Sequence, residues 1–184
     1  MTQRDDLLVW IDLEMTSLVD PTIDSITQIA CVITDKDLVT IAESEEITIH
    51  ADPKRFEEIP HEVRVMYQDN GLIPSIIAST VTEKEAETRI LTFIKEYVSL
   101  KSSPLCGNSI HGDRMFIKFR MPELNEYLHY RNIDISTIKE LARRWQPEIA
   151  NEVIRMKAGK THRALDDIKG SIEELKHYRN NWLK

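Results

Sequence analysis

Cysteine and long apolar runs are scarce in this sequence. Its 184 residues include two cysteines, Cys31 and Cys106, which lack the CxxC spacing of zinc or redox sites and are too few for a disulfide framework. The longest apolar run covers residues 7–11, far short of the roughly 20 residues that cross a bilayer. The N-terminal residues are acidic, unlike a secretory signal. We expect a cytoplasmic protein with reduced, buried cysteines and no membrane association.

Glycine and proline are also few, and acidic residues outnumber basic ones. With five glycines and seven prolines, the composition excludes collagen-like and disordered chains, and the length predicts one domain over residues 1–184. The formal net charge is −7. Proteins that bind long nucleic acids through their phosphates usually carry a basic surface. Three interpretations therefore stay open: no nucleic acid, a very short one, or a local carboxylate cluster that binds cations.

The hydrophobic pattern predicts strands in the first third of the chain and alternating strands and helices after it. Residues 7–14, 25–34 and 38–50 are rich in Ile, Val and Thr, and short turns join them into an antiparallel meander. Prolines and a glycine divide residues 52–78 into short helical pieces. The later predicted elements are a helix opened by a capping box at Thr82, a strand over 104–108, a helix over 114–127 bent near Pro122, a strand over 133–135, a helix over 137–145 capped by Ser136, and a helix over 165–182. This order predicts an α/β fold with a mixed sheet flanked by helices.

Two carboxylates stand at the end of the first predicted strand. The apolar run over 7–11 predicts a buried central strand, and Asp12 and Glu14 follow it two residues apart, on one face. Two buried like charges are unfavourable unless a cation offsets them, and paired carboxylates suit Mg²⁺ or Mn²⁺. The alternative is that the strand ends at Ile11 and that both acids are solvated.

A second candidate lies between the predicted strand over 104–108 and the helix that follows it. Loops at this position of an α/β sheet often carry ligand-binding groups, and Gly107 and Gly112 permit tight turns. Asp113 is either a metal ligand or the N-cap of the following helix.

The third candidate is the segment that enters the last predicted helix. On a helical wheel, Asp167 flanks the apolar stripe around Ile168, whereas Asp166 points to solvent. His162 precedes the regular part of the helix, and its near-neutral pKa suits it to take a proton from a water. The alternative for a lone histidine is a structural role.

The order of these acids and the residues around them resembles the histidine-bearing branch of the DEDD superfamily of 3′→5′ exonucleases, and within it the oligoribonuclease family. The segment Trp-Ile-Asp-Leu-Glu-Met-Thr over 10–16 carries the first part of the resemblance. The other segments are 106–109, 121–124, 129–131, 139–145, 161–162 and 166–168, so the likeness covers nearly the whole chain. The resemblance implies a ribonuclease H-like fold, in which the first three strands are antiparallel and the later ones parallel.

The resemblance also implies roles for individual residues. Asp12, Glu14, Asp113 and Asp167 match acids that hold two divalent cations, Mg²⁺ or Mn²⁺, and His162 matches the general base. The residues that match substrate contacts are Leu18 against the terminal bases, Ser109, Arg131 and Ser136 around a 5′-phosphate, and Tyr130, contributed across a homodimer interface. Without the resemblance, Arg131 would be a solvated charge, Ser136 an N-cap and Tyr130 a packing residue.

The chain departs from the family pattern at two places. Ser17 stands where glycine is usual after Met-Thr, which we expect to alter the backbone beside Glu14. Residues 60–67 lack the pattern of a tryptophan and a histidine that family members usually place near the substrate bases, and the segment is one residue longer. We expect Tyr67 to replace the lost contact by stacking on a base, an interaction that contributes about 1–3 kcal/mol.

Together these features predict a two-metal 3′→5′ exoribonuclease that hydrolyses very short RNA, preferably dinucleotides with a 5′-phosphate, to 5′-mononucleotides. The acidic charge fits such a substrate, because a dinucleotide carries few phosphates. Two alternatives remain: a broader exonuclease for single-stranded RNA or DNA, as in proofreading, and a non-catalytic oligonucleotide-binding module. The intact set of acids and His162 argues against the module.

Overall fold

A mixed six-stranded sheet forms the centre of the protein. The computed structural model describes residues 2–58, 64–65, 67, 71–156 and 163–183. The strands are β1 (Leu8–Met15), β2 (Ile26–Thr34), β3 (Thr40–Glu43), β4 (Ile47–Thr48), β5 (Leu105–Gly107) and β6 (Asn132–Asp134). Their order is β3-β2-β1-β5-β6, and β4 also pairs with β2. The pairs among β1, β2, β3 and β4 are antiparallel, whereas β5 and β6 are parallel to β1, which confirms the predicted α/β arrangement.

The described ranges contain eight helices, six of which contribute to the hydrophobic cores on the two faces of this sheet. The eight helices are α1 (Arg55–Glu58), α2 (Leu72–Ala78), α3 (Glu83–Tyr97), α4 (His111–Arg120), α5 (Pro122–Tyr127), α6 (Ile135–Trp145), α7 (Pro147–Met156) and α8 (Ala164–Asn181). Within the part of the chain that the structure describes, no helix is long and apolar enough to span a membrane.

Successive residues of β1 pack into two different hydrophobic cores. Val9 and Ile11 join the core that α3, α4 and α5 cover. Trp10 joins the other core, which α6, α7 and α8 cover, and its indole N–H donates to the Thr34 hydroxyl at 3.0 Å. All nine residues of β2 are buried, because β2 lies between two strands and has helices on both faces. The sheet is therefore the middle of three layers, and the even-numbered residues of β1 face α8.

The predicted strand over 38–50 is two strands. β3 ends at Glu43 because the hydroxyl of Ser44 accepts the backbone N–H of Cys31 at 2.9 Å, where a backbone carbonyl would continue a regular ladder. Pairing with β2 resumes only at Ile47. Residues 43–46 are all polar, so the sequence held a signal of this interruption that the prediction of one continuous strand did not use.

The helix boundaries confirm some of the predicted caps and correct others. Thr82 forms the predicted capping box with Glu85. The predicted helix over 114–127 begins earlier, at His111, and Pro122 divides it into α4 and α5. Asp134, not Ser136, caps α6: its carboxylate accepts the N–H of Ser136 at 2.9 Å. The predicted elements did not include α7, although a proline at its first position is a common helix-start signal.

Candidate active site

Asp12 and Glu14 lie within β1, not beyond its end. The strand continues to Met15, so the alternative in which it ends at Ile11 is wrong. Both acids follow Trp10 on the face that α8 covers, because side chains alternate along a strand. Asp12 is half-buried, and Glu14 is buried at 8% exposure. The sheet thus places two carboxylates side by side under a helix.

The first turn of α8 adds a third carboxylate to this pair. Oxygen atoms of Asp12, Glu14 and Asp167 all lie within 4.8 Å of one another, a spacing at which one cation can be held. Asp167 is half-buried, whereas its neighbour Asp166 is exposed, as the helical wheel indicates. Clusters of carboxylate oxygens are the ligands that Mg²⁺ and Mn²⁺ prefer.

Asp113 is also buried next to β1, on the side of this strand where β5 lies. It lies in the first turn of α4 but is not its N-cap, which is Ile110. Its carboxylate accepts the backbone N–H of Leu13, between the two β1 acids, at 3.0 Å. This N–H is accessible because β5 pairs with β1 only at Val9 and Trp10. Because β5 is short, the backbone of β1 at Leu13 has no partner strand on this side, and the Asp113 carboxylate binds there, close to Glu14.

Gly107 allows the end of β5 to approach β1 closely. A Cβ atom at this position would lie 3.2 Å from the backbone oxygen of Ile11 and 2.8 Å from Cδ1 of Ile110. Any larger residue would push the loop that precedes Asp113 away from β1, so the glycine contributes to the geometry of the acidic site.

Glu14 and Asp113 lie in an environment that disfavours their charged forms. The pKa of Glu14 is raised to about 8, first by burial and then by the nearby carboxylates of Asp167 and Asp113. Burial also raises the pKa of Asp113 to about 7, although the N–H of Leu13 opposes the shift. A bound cation would offset these charges, so the donor set fits a divalent metal.

The start of α8 is held by Gln28 of β2 and by Glu46 from the segment between β3 and β4, and neither was among the predicted site residues. Gln28 lies opposite Glu14 in the β1–β2 register, and its side-chain oxygen accepts the N–H of Ala164 at 3.1 Å. Glu46 accepts the N–H of Leu165 at 3.3 Å and the guanidinium N–H of Arg163 at 3.0 Å. The signal in the sequence was Gln28 itself, a glutamine within a predicted strand that otherwise contains apolar residues and threonines. His162 precedes this helix and lies outside the described residues.

Ser109 and Ser136 form a compact polar group beside the carboxyl ends of β5 and β6. Their hydroxyl oxygens are 3.0 Å apart, and the N–H of Ser109 donates to both the Ser136 hydroxyl and the Asp134 carboxylate. Ser109 has a left-handed backbone, with φ of 50°. Such a conformation is costly for a residue other than glycine and persists only where neighbouring contacts impose it.

Three exposed side chains complete the set of predicted substrate contacts. Leu18 is 65% exposed, and one of its methyl groups lies 4.0 Å from a Cβ built at Gly112, at the start of α4. Tyr130 is 74% exposed, with its ring 4.4 Å from that of His129. The guanidinium of Arg131, an exposed residue, lies 5.4 Å from the Tyr130 ring.

Comparison with known proteins identifies the family. The family model described as Exonuclease (RNase_T) matches residues 9–175. The oligoribonuclease of Halorhodospira halophila is 50% identical over 177 residues, which cover 96% of this chain and 94% of that relative. The oligoribonuclease of Azoarcus sp. is 47% identical over 184 residues, 100% of this chain and 99% of that relative. The chain belongs to the oligoribonuclease family of exonucleases. It is therefore a phosphodiester hydrolase.

Solved structures of exonuclease I share the fold of this oligoribonuclease-family chain. The exonuclease I of Methylocaldum szegediense matches with a TM-score of 0.71 at 20% identity, over 97% of this chain and 41% of that chain. E. coli exonuclease I in complex with a dA16 oligonucleotide matches with a TM-score of 0.72 at 16% identity, over 97% of this chain and 42% of that chain. This chain thus spans about two fifths of those longer chains. The likeness confirms the ribonuclease H-like fold.

The two departures from the oligoribonuclease-family pattern have different structural outcomes. Ser17 does not have a left-handed backbone, and its hydroxyl accepts the N–H of Val19 at 3.3 Å, so the turn does not require glycine. The stacking role expected for Tyr67 is wrong. Its side chain is fully buried, packs edge-on against Phe56, and shares a 2.7 Å hydrogen bond with the hydroxyl of Thr27. Residues 60–63 and 66 of the same segment lie outside the described residues.

Proposed function

We propose that residues 1–184 form one domain that removes nucleotides from the 3′ end of very short RNA. The preferred substrate is a dinucleotide with a 5′-phosphate, and the products are 5′-mononucleotides. The observation that carries this proposal is the cluster of Asp12, Glu14 and Asp167 within 4.8 Å, in a chain of the oligoribonuclease family.

Four acids would hold two divalent cations, either Mg²⁺ or Mn²⁺. Asp12, Glu14 and Asp167 offer converging oxygens, and Asp113 is buried against the strand segment between the first two. When bound, such cations offset the charge of the scissile phosphate and promote ionisation of a water at neutral pH. The raised pKa of Glu14 supports this assignment, because the cluster is poorly stabilised without a positive charge.

His162 is the proposed general base of the hydrolysis. A neutral imidazole nitrogen would accept the proton of the water that attacks phosphorus, while the bond to the 3′-oxygen breaks and that oxygen acquires a proton from solvent. Asp167 lies in the first turn of α8, five residues after His162 in the sequence. The 5′-phosphate of the released nucleotide comes from the cleaved linkage.

Ser109, Ser136 and Arg131 are proposed to bind the 5′-phosphate at the other end of the substrate. The two hydroxyls lie 3.0 Å apart, and a guanidinium is a group that makes strong, directional contacts with phosphate. Leu18 is proposed to contact the terminal bases with its exposed side chain. A small site of this kind suits a chain with a net charge of −7, because few phosphates need neutralising.

Tyr130 is proposed to act on the substrate of a second copy of the chain in a homodimer. Its exposed ring, held between His129 and Arg131, is an aromatic anchor of the type enriched at protein interfaces.

A cytoplasmic location completes the proposal. Cys31 and Cys106 are free and buried, which fits a reducing compartment.

The decisive experiment measures hydrolysis of 5′-phosphorylated RNAs of two, seven and about twenty nucleotides with Mg²⁺ or Mn²⁺, with the products resolved by length. The proposal predicts the highest kcat/KM for the dinucleotide and mononucleotide products from the 3′ end. A Glu14→Gln variant and an EDTA-treated sample serve as inactive controls.

Other outcomes distinguish the alternatives. Faster cleavage of the twenty-mer, or equal cleavage of single-stranded DNA, would support a broader exonuclease. Binding of the dinucleotide without any metal-dependent hydrolysis would indicate a binding module and contradict the proposal.

A further inference from the structure

Asn108 uses its whole hydrogen-bonding capacity to join two parts of the site. Its side-chain NH₂ donates to the Ser171 hydroxyl at 2.7 Å and to the Glu174 carboxylate at 3.0 Å. Its side-chain oxygen accepts from the Ser136 hydroxyl at 3.2 Å and from the Lys139 ammonium at 3.1 Å. An asparagine amide has two donor hydrogens and two acceptor lone pairs, so all four are engaged.

The partners of Asn108 fix the orientation of its amide. The Lys139 ammonium can only donate, so exchanging the amide oxygen and nitrogen would set two donors against each other. Glu174 is almost fully buried, and its other partners are the Lys139 ammonium at 3.4 Å and the Tyr178 hydroxyl at 3.2 Å. A buried carboxylate is stable only while such partners stay in place, which makes the arrangement rigid.

One end of this network reaches the proposed phosphate site. Because the Ser136 hydroxyl donates its single hydrogen to Asn108, its oxygen is left as the acceptor for the Ser109 N–H at 2.8 Å. That bond is one of two that the N–H of Ser109 donates, and both help to hold the left-handed backbone of this residue. Asn108 therefore controls which way the Ser136 hydroxyl points and, through it, the position of Ser109.

The other end of the network reaches the helix that carries a proposed metal ligand. The Ser171 hydroxyl, which accepts from Asn108, donates to the backbone carbonyl of Asp167 at 2.9 Å. A chain of direct hydrogen bonds thus runs from Ser109 through Ser136, Asn108 and Ser171 to Asp167.

We propose that Asn108 is a positioning residue that sets the 5′-phosphate site of Ser109 and Ser136 at a fixed place relative to Asp167, and so contributes to selection of substrate length. The inference rests on the proposed function, since it requires a 5′-phosphate to be bound at the two serines. Its consequence is a substrate-dependent defect. Without Asn108, the distance between the phosphate site and the cleavage site should no longer equal the length of one internucleotide linkage.

The test compares kcat/KM for the parent and Asn108→Ala on a 5′-phosphorylated dinucleotide, the same dinucleotide without the phosphate, and a phosphorylated seven-mer. The parent should favour the phosphorylated dinucleotide, and Asn108→Ala should reduce that preference by about tenfold, the scale of one or two hydrogen bonds. Asn151→Ala, a change at an exposed asparagine of α7, is the matched control and should keep the preference.

A double-variant cycle tests the route of the effect. If Asn108 acts through Ser136, then Asn108→Ala combined with Ser136→Ala should lose no more phosphate preference than Ser136→Ala alone. Ser171→Ala removes the hydrogen bonds that link Asn108 to Asp167 and leaves the contact between Asn108 and Ser136 in place, and it should lower the preference in the same direction. This smaller change also serves as the test if Asn108→Ala does not fold.

The failures of the two proposals are distinguishable. A parent without a 5′-phosphate preference would overturn the proposed function and the inference with it. A parent with that preference, together with Asn108→Ala and Ser171→Ala variants that lose activity equally on all three substrates, would overturn the inference alone and assign Asn108 a purely structural role.

Discussion

At the residue scale, position on a helix gives two adjacent identical side chains different environments. Asp166 is exposed, whereas Asp167 is half-buried beside Asp12 and Glu14. The difference arises because successive residues of an α-helix point about 100° apart. Only the second aspartate can share a cation with the acids of β1.

Substitution of these two aspartates should therefore have unequal effects. We expect Asp167→Asn to lower kcat by more than about 100-fold, because even changes outside the direct ligands of a metal can cost 10- to 100-fold. Asp166→Asn should change it by no more than about twofold, as is usual for a surface substitution. Steady-state assays at saturating Mn²⁺ measure both, with thermal unfolding as the control for folding. Equal losses would show that the proposed metal ligand is misassigned.

The raised pKa of Glu14 predicts how stability depends on pH and metal. In the folded state this pKa is about 8, against a usual value of 4.5, so the folded protein retains a proton that the unfolded chain releases. In metal-free protein, this contribution to stability is complete below about pH 4.5 and is lost as pH rises toward 8. A divalent cation should offset the loss, because it neutralises the ionised cluster.

The measurement is the melting temperature in Mg²⁺ minus that in EDTA, at several values between pH 5 and pH 8.5. We expect the difference to grow as pH rises, and Glu14→Gln, which cannot ionise, to abolish most of the growth. A difference that is constant with pH in the parent would contradict the prediction.

At the element scale, α8 depends on the sheet for its N-terminal cap. The N-cap residue, Arg163, makes no capping bond with its side chain. Gln28 and Glu46 instead accept the N–H groups of Ala164 and Leu165. Since the helix N-terminus is tied to β2 opposite Glu14, the same contacts position Asp167 in the acidic cluster.

Removal of the Gln28 side chain should affect both folding and metal binding. Gln28→Ala leaves the buried N–H of Ala164 without its acceptor, a loss of about 1–3 kcal/mol, so the melting temperature should fall. The Mn²⁺ concentration that gives half of the maximal thermal stabilisation should rise, because Asp167 is less well positioned. Gln146→Ala, at an exposed residue, is the control. Lower stability with an unchanged Mn²⁺ titration would limit Gln28 to a role in folding.

At the scale of the whole molecule, the strand order brings residues from distant parts of the chain to one edge of the sheet. β1 and β5 are neighbours although residues 16–104 separate them in the sequence. Asp12, within β1, and Ser109, in the loop after β5, therefore belong to neighbouring parts of the sheet. Tyr130 is exposed before the start of β6, whereas Ser109 follows the end of the parallel strand β5, so the two lie at opposite ends of these strands.

If Tyr130 acts across a dimer interface, activity should depend on protein concentration. We expect the specific activity of the parent on a dinucleotide to fall on dilution, in parallel with dissociation measured by analytical ultracentrifugation. Tyr130→Ala should lower dinucleotide cleavage at all concentrations, whereas Leu100→Ala, which shortens another exposed side chain, should not. Full activity of a protein shown to be monomeric would contradict the shared site.

The sequence by itself determined the features that depend on local pattern. The strand that carries Asp12 and Glu14, the capping box at Thr82 and the wheel position of Asp167 all follow from residue spacing within one element. They could be predicted because strand alternation and helix periodicity are properties of neighbouring residues. The motifs also carried the resemblance to the family, since the spacing of its acids is recorded in the chain order.

Only the tertiary structure decided the features that depend on contacts between distant segments. Tyr67 is an aromatic residue that suits either a base or a core, and its bond to Thr27 makes it part of the core. Gln28 caps a helix that begins 136 residues later, and Asp113 bonds to a backbone group 100 residues earlier. No local rule encodes such pairs, because whether a polar side chain finds its partner depends on which elements the fold brings together.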